Sequence, residues 1–245
     1  MRSIRTLFLA FILFFATPLG LHAAYWMSQD HPSSWATADW SSTHTLPPPG
    51  QNPSAMVRVY AARTGRWKGA FATHSWIVLK RRGARSYERW DKVGWGRPLR
   101  RNNYAPDARW YGNAPILLRE VRGLEAEALI PKIQASIARY AYQSYGDYRI
   151  WPGPNSNTFV AAVLADVPEL EASLPPTAIG KDFPHDGRWI ALTPSRTGFR
   201  ASLGGYASLT FAWVEGFEIS IFGAVVGVDF VHPAVKLPGF GRIGV

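Results

Sequence analysis

Residues Ala70 to Lys80 read AFATHSWIVLK, and Ser86 to Val93, SYERWDKV, follow the basic turn Arg81-Arg82-Gly83-Ala84-Arg85. β-Branched and aromatic residues in alternation, broken by a turn with glycine at its centre, predict two antiparallel strands joined as a hairpin. Alternation sets His74, Trp76 and Val78 on one face of the first strand and Ser75, Ile77 and Leu79 on the other, so His74 stands among apolar neighbours. A hairpin centred on Arg82-Gly83 puts Asp91 almost opposite His74. Glu88 is the other acidic residue of the second strand, and a slip of register exchanges the two.

The sheet grows outward from this hairpin. Ala55 to Ala62, AMVRVYAA, reads as a further strand, and Pro115 to Val121 as another short one. Ile130, Ile133, Ile137 and Tyr140 or Ala141 then recur at helical spacing, and Pro131 is expected to open that helix, where a missing N–H costs nothing. Pro152-Gly153-Pro154-Asn155-Ser156-Asn157-Thr158-Phe159 leads into the apolar Val160 to Val167, which is a turn feeding a helix that starts near Ser156. After Leu174-Pro175-Pro176 come short alternating stretches such as Gly216 to Phe222 and Val225 to Val231, read as antiparallel strands. The expected fold class is α+β, an antiparallel sheet packed on two or more helices. The core covers 55–180, and a C-terminal β extension, 181–245, packs on it.

Ahead of the core, Arg2 and Arg5 precede an apolar run from Leu7 to Ala16, then Pro18, Gly20 and the pair Ala23 and Ala24. That is the layout of a secretory signal over 1–24, and the same span could remain as a membrane anchor. Either way the body is expected to be exported, periplasmic or extracytoplasmic, held at the inner membrane in the second case. Residues 25–54 are rich in Ser, Thr, Pro and Trp and include Pro47-Pro48-Pro49-Gly50, the composition of a linker. Its Trp26, Trp35 and Trp40 suit a membrane interface or packing back on the body.

Composition removes several chemistries. The absence of cysteine excludes disulfides, thiolate metal ligands and a thiol nucleophile. Six histidines are scattered without a pair suited to one helix face, so neither metal nor cofactor is expected. No Gly-x-Ser-x-Gly elbow marks an α/β-hydrolase. The net charge of +10 favours an anionic partner, and only Arg2 and Arg5 of the basic residues lie in the leader. Positive charge gathers in Lys80, Arg81, Arg82, Arg85 and Arg89 and continues through Arg97, Arg100 and Arg101, a candidate anionic-surface site centred on Arg81, Arg82 and Arg85. With an export signal the expected partner is a membrane or cell-envelope polymer and not nucleic acid.

One constellation is left for chemistry. A serine hydroxyl at a helix start meets free N–H groups and the positive end of the helix dipole, which favour a developing oxyanion. If folding brings His74 to Ser156, the imidazole can take the hydroxyl proton while Ser156 attacks an acyl carbon, with Asp91 or Glu88 orienting the ring. Asn155, Asn157 and Thr158 are the adjoining candidates for oxyanion contact or positioning. Serine is equally a favoured N-cap, and a strand histidine can be a satisfied core residue.

His74-Ser75-Trp76 on a strand and Asn155-Ser156-Asn157-Thr158-Phe159 opening a later helix resemble the two signature blocks of the circularly permuted papain-like superfamily. That group includes NlpC-type cell-wall peptidases and lecithin:retinol acyltransferase relatives, with histidine first and the nucleophile after it. More narrowly, Gly153 to Phe159 together with Pro233 to Gly244 is similar to an uncharacterised bacterial family, domain of unknown function 3750, over about Val57 to Val245. The superfamily resemblance implies a permuted papain-like fold and acyl chemistry on a peptide, amide or ester. It also exposes a departure, since the superfamily carries cysteine where this chain has Ser156. Two readings follow: a serine-variant amidase, esterase or acyltransferase of the envelope, or a non-catalytic envelope binding or scaffold protein contacting anionic lipid or cell-wall polymer.

Overall fold

The computed structural model describes residues 2–244; Met1 and Val245, the outermost residues of the expected leader and C-terminal extension, lie outside them. The chain starts in a helical run made of α1 (Arg2–Phe11), a π-helical turn (Ile12–Ala16) and α2 (Thr17–Met27). Ser3–Met27 is long and apolar enough to cross a membrane, with a hydropathy of 2.0, and its C-terminal part docks on the body through Phe15, His22 and Trp26. Residues 28–55 have little regular structure yet lie on the body. Trp26 donates to the Arg66 carbonyl at 2.9 Å, Trp40 packs against Tyr104, Trp110 and Tyr111, and the Asp107 carboxylate gathers Ser42, Thr45 and Leu46.

The architecture is α+β with two antiparallel sheets. The first contains β1 (Met56–Arg63), β2 (Thr73–Lys80), β3 (Glu88–Lys92), β4 (Leu99–Arg101) and β5 (Ile116–Arg122) in the order β4-β3-β2-β1-β5. On one of its faces Val57, Val59, Ile77 and Leu79 meet α3 (Gly123–Arg139) and α4 (Ser156–Asp166). On the other, Met56, Tyr60, Trp76 and Val78 pack with Trp110 and Trp40. The alternation in AFATHSWIVLK therefore divides two apolar clusters, one on each side of β2.

Helix α3 corrects one expectation: it opens at Gly123 and runs through Pro131 instead of starting there. A proline inside a helix costs about 3 kcal/mol. Burial of Ile130, Ile133 and Ile137 against the sheet, each contributing roughly 1.5–3 kcal/mol, outweighs that cost.

The second sheet is a meander of β6 (Ile190–Leu192), β7 (Gly198–Leu203), β8 (Ala207–Ala212), β9 (Gly216–Ile221), β10 (Ala224–Asp229), β11 (Ala234–Leu237) and β12 (Gly241–Gly244). Among the described residues it adds nothing to either apolar cluster. Its buried face is polar instead: Lys181 bridges Asp182 and Glu218, Lys236 reaches Glu218, and Ser208 donates to Asp182. Burial works against the Lys181 charge, but the carboxylates of Asp182 and Glu218 overcome it and raise its pKa.

Candidate active site

The turn Arg81 to Tyr87 sets the hairpin register as Ile77 with Trp90, Val78 with Arg89 and Leu79 with Glu88. Continued, that register places Asp91 level with Trp76, one diagonal step from His74 and not opposite it. Diagonal neighbours on one face remain within reach of long side chains, and His74 Nε2 lies 2.8 Å from Asp91 Oδ1. Glu88 is corrected out of the site. It lies at the far end of the pairing and bonds Trp90, Arg101 and Gln134.

Arg89, two residues before Asp91, points to the same side of β3. Its Nε and Nη2 clamp the two Asp91 oxygens at 2.7 and 2.8 Å, and Nη1 donates to the Ala105 carbonyl. The guanidinium sits 4.1 Å over the Trp76 ring. Arg89 and Lys80 are thus buried structural groups, which removes both from the basic surface expected from the sequence. Arg81, Arg82 and Arg85 remain exposed on the turn.

Burial alone would raise the Asp91 pKa, but the Arg89 charge and the hydrogen bonds from His74 and Arg89 pull it down to about 2. His74 is fully buried, which lowers its pKa; Asp91 opposes that and Arg89 adds to it, with a net lowering. An ionised carboxylate can only accept, so the neutral imidazole must carry its proton on Nε2. That leaves Nδ1 as a bare base with no hydrogen bond among the described residues. The ring is held flat by Trp110, stacked at 3.6 Å between centroids and 4° between planes.

The same shifts give a stability profile. The Asp91 carboxylate has a folded pKa below its ordinary value of 3.8, so its contribution is fully present above about pH 4 and is lost as pH falls toward 2. A depression of this size corresponds to about 2 kcal/mol. His74, lowered from 6.5, acts in the same direction, because the unfolded chain takes up its proton first as pH falls. Urea unfolding at pH 7, 5 and 3 should therefore show stability decreasing at each step.

Ser156 opens α4. Asn155 is the N-cap, its Oδ1 accepting from the Asn157 and Thr158 N–H groups while Thr158 Oγ1 accepts from the Asn155 N–H, a capping box. The amides of Asn157 and Thr158 are therefore occupied, which corrects the expectation of several free donors. The Ser156 N–H makes no hydrogen bond among the described residues and is the donor left at the helix mouth. The Thr158 hydroxyl is likewise engaged, donating to the Gly180 carbonyl at 2.7 Å.

The Asn157 side chain ties α4 to β2. Its Nδ2 donates to the Thr73 carbonyl at 2.9 Å, and its Oδ1 accepts from the Ser75 hydroxyl at 2.9 Å. The residues on either side of His74 are thereby tied to the residue after Ser156.

His74 and Ser156 line one cavity of about 430 Å³ together with Tyr148, Tyr111 and Trp110. No hydrogen bond joins the two side chains among the described residues. Tyr148, pushed up to about 12 by burial, lies beside the Ser156 hydroxyl, which opposes that rise. Trp67, Trp95, Trp151 and Phe222 give the cavity an apolar wall, and Leu19 of α2 closes part of it. Tyr148, Trp110 and Arg89 escaped sequence reasoning; for Arg89 alone a signal existed, its alternation with Asp91 on a buried strand. Among the described residues no three His, Asp or Glu side chains converge as a metal site needs.

A family model described as "Protein of unknown function (DUF3750)" matches residues 54–183, from the first strand through the loop after α4. The chain belongs to this family. The DUF3750 match covers His74, Arg89, Asp91, Asn155, Ser156 and Asn157, so the whole polar constellation lies within it. It stops before the second sheet, leaving Pro233 to Gly244 outside the matched region. No curated protein and no solved structure matches the chain.

Proposed function

We propose that this DUF3750 chain is an acyl-transferring enzyme, a hydrolase or acyltransferase in which Ser156 is the nucleophile and His74 the general base. The observation that carries this reading is the sharing of one cavity by a neutral, Asp91-anchored imidazole and a helix-start hydroxyl. In the reaction His74 Nδ1 accepts the Ser156 proton as Oγ attacks the acyl carbon. The oxyanion is met by the Ser156 N–H and the positive end of α4. His74 then gives the proton to the departing alkoxide or amine, and water or a second nucleophile releases the acyl group by the reverse sequence. The order of histidine before nucleophile supports the likeness to permuted papain-like enzymes. The apolar walls favour an acyl chain as the bound part of an envelope ester or amide. Nucleophile and base are commonly farther apart in an unliganded site than in the reacting complex, so the missing hydrogen bond fits this reading.

The test is labelling by a fluorophosphonate. The wild type should be labelled on Ser156, Ser156→Ala should lose the label, and His74→Ala should slow it by roughly 10²–10⁴-fold, the usual worth of a general base. Failure of the folded wild type to label would overturn the proposal. The pH dependence follows from the lowered His74 pKa: the base stays neutral to more acidic pH than an ordinary histidine, so half-maximal labelling should fall below pH 6.5.

A second reading concerns partners. Exposure of Arg81, Arg82 and Arg85 on one turn favours contact with anionic lipid or cell-wall polymer. Reversing all three charges should weaken binding to anionic vesicles while leaving labelling of Ser156 unchanged; unchanged binding would reject the patch.

A further inference from the structure

In the second sheet the usual arrangement is inverted. One register row crosses all seven strands as Leu192, Phe199, Phe211, Phe217, Val228, Val235 and Ile243. Every member is apolar, and all but Phe217 are exposed. The adjacent row, Ala191, Arg200, Thr210, Glu218, Gly227, Lys236 and Arg242, points to the opposite face and supplies its buried ion pairs. A one-sided antiparallel sheet in water shows apolar residues inward and polar residues outward. Here the polar face is the inner one, and the outer face is an apolar surface about 29 Å across and about 20 Å along the strands from standard spacings. That is at or beyond the largest patch typical of a soluble monomer.

We infer that this outer face seats on the surface of a lipid bilayer. Three features choose lipid over other occupants. The Ser3–Met27 helix, apolar enough to span a membrane, docks against this same sheet, with Ile12–Ala16 packed on β10 and the His22 ring 4.9 Å from Phe240. Exposed Trp189, Tyr206 and Trp213 stand at strand ends, where amphipathic rings meet a headgroup layer. Exposed Arg188, which pairs with Asp186, and exposed Arg196 lie just outside β6 and suit anionic headgroups. Among the described residues the face offers no outward charge to hold a specific polar partner: the neighbouring outward pairs, Ala201 with Leu209 and Leu209 with Ile219, are also apolar. This inference stands apart from the catalytic reading, since none of these residues takes part in the proposed chemistry.

The chain contains no cysteine, so a single introduced thiol reports one position. Full-length Phe211→Cys, Ile219→Cys and, as a control on α3, Glu127→Cys would each carry an environment-sensitive fluorophore. They would be mixed with phosphatidylcholine–phosphatidylglycerol vesicles whose acyl chains are brominated. The expected result is several-fold quenching at positions 211 and 219, little at 127, and shielding of 211 and 219 from aqueous iodide. Quenching of 211 and 219 by iodide but not by brominated lipid would overturn the inference. So would protection from both quenchers with energy transfer between labelled copies, the signature of a second copy on this face. Near-ultraviolet circular dichroism that matches the wild type verifies folding, and the two sheet positions serve as independent replicates.

Discussion

Arg89→Met is expected to destabilise the protein by about 3–5 kcal/mol, the usual cost of removing one member of a buried ion pair and leaving the other uncompensated. Asp91 is wholly buried and keeps its low pKa chiefly through the guanidinium, so without Arg89 the carboxylate must draw a proton or a protonated His74 to itself. Arg89 also lowers the His74 pKa. The variant should therefore show a second effect, a shift of the labelling profile to higher pH. Chemical denaturation gives the first and the pH dependence of fluorophosphonate labelling the second. A profile that stays in place while stability drops would reduce Arg89 to packing. An unchanged stability would contradict the buried ion pair itself.

Asn157→Leu is expected to lower the labelling rate by about 10²-fold, the scale on which a displacement of about 1 Å acts on a catalytic geometry. The leucine has similar bulk but leaves the Thr73 carbonyl and the Ser75 hydroxyl without Asn157, while the Ile179 carbonyl keeps its bond from Asn155. Each buried polar group so orphaned costs about 1–3 kcal/mol. Since Asn157 touches neither reacting group, the loss should fall on the rate and leave the position of the pH profile unchanged, because the Asp91 contact to His74 remains. Ser75→Ala removes one of the three bonds and should give a smaller loss in the same assay. Equal labelling by Asn157→Leu and the wild type would show that the strand and helix hold their spacing without this clamp.

How much of this was legible in the sequence depends on which physical rule governed each element. Alternation in AFATHSWIVLK assigned the faces of β2 correctly, because both faces are buried by apolar neighbours and a period of two is all that the backbone permits. Ser156 announced the start of α4 through chemistry that is local, although the cap is Asn155, one residue earlier. The hairpin register was harder. The turn is longer than a glycine-centred pair, and the resulting shift moves Asp91 from opposite His74 to the diagonal. Arg89 read as part of a solvated run, since a cluster of charges in sequence does not disclose that alternate members of a strand point inward. Trp110 and Tyr148 come from loops whose path is set by tertiary contacts, so no periodicity marks them. The second sheet illustrates the opposite limit. Its strands were legible from alternation, yet alternation says only that two faces differ. Which of the two is covered by protein is a matter of tertiary packing that alternation leaves open.

The most direct measurement of the account is the protonation state of His74, read by ¹⁵N NMR of selectively labelled histidine across a pH titration. An imidazole tied to an ionised Asp91 should show a protonated Nε2 and a bare Nδ1 at neutral pH, with a midpoint below 6.5. A proton on Nδ1, or a midpoint above 6.5, would contradict the claim that the fold keeps a neutral base facing the cavity of Ser156.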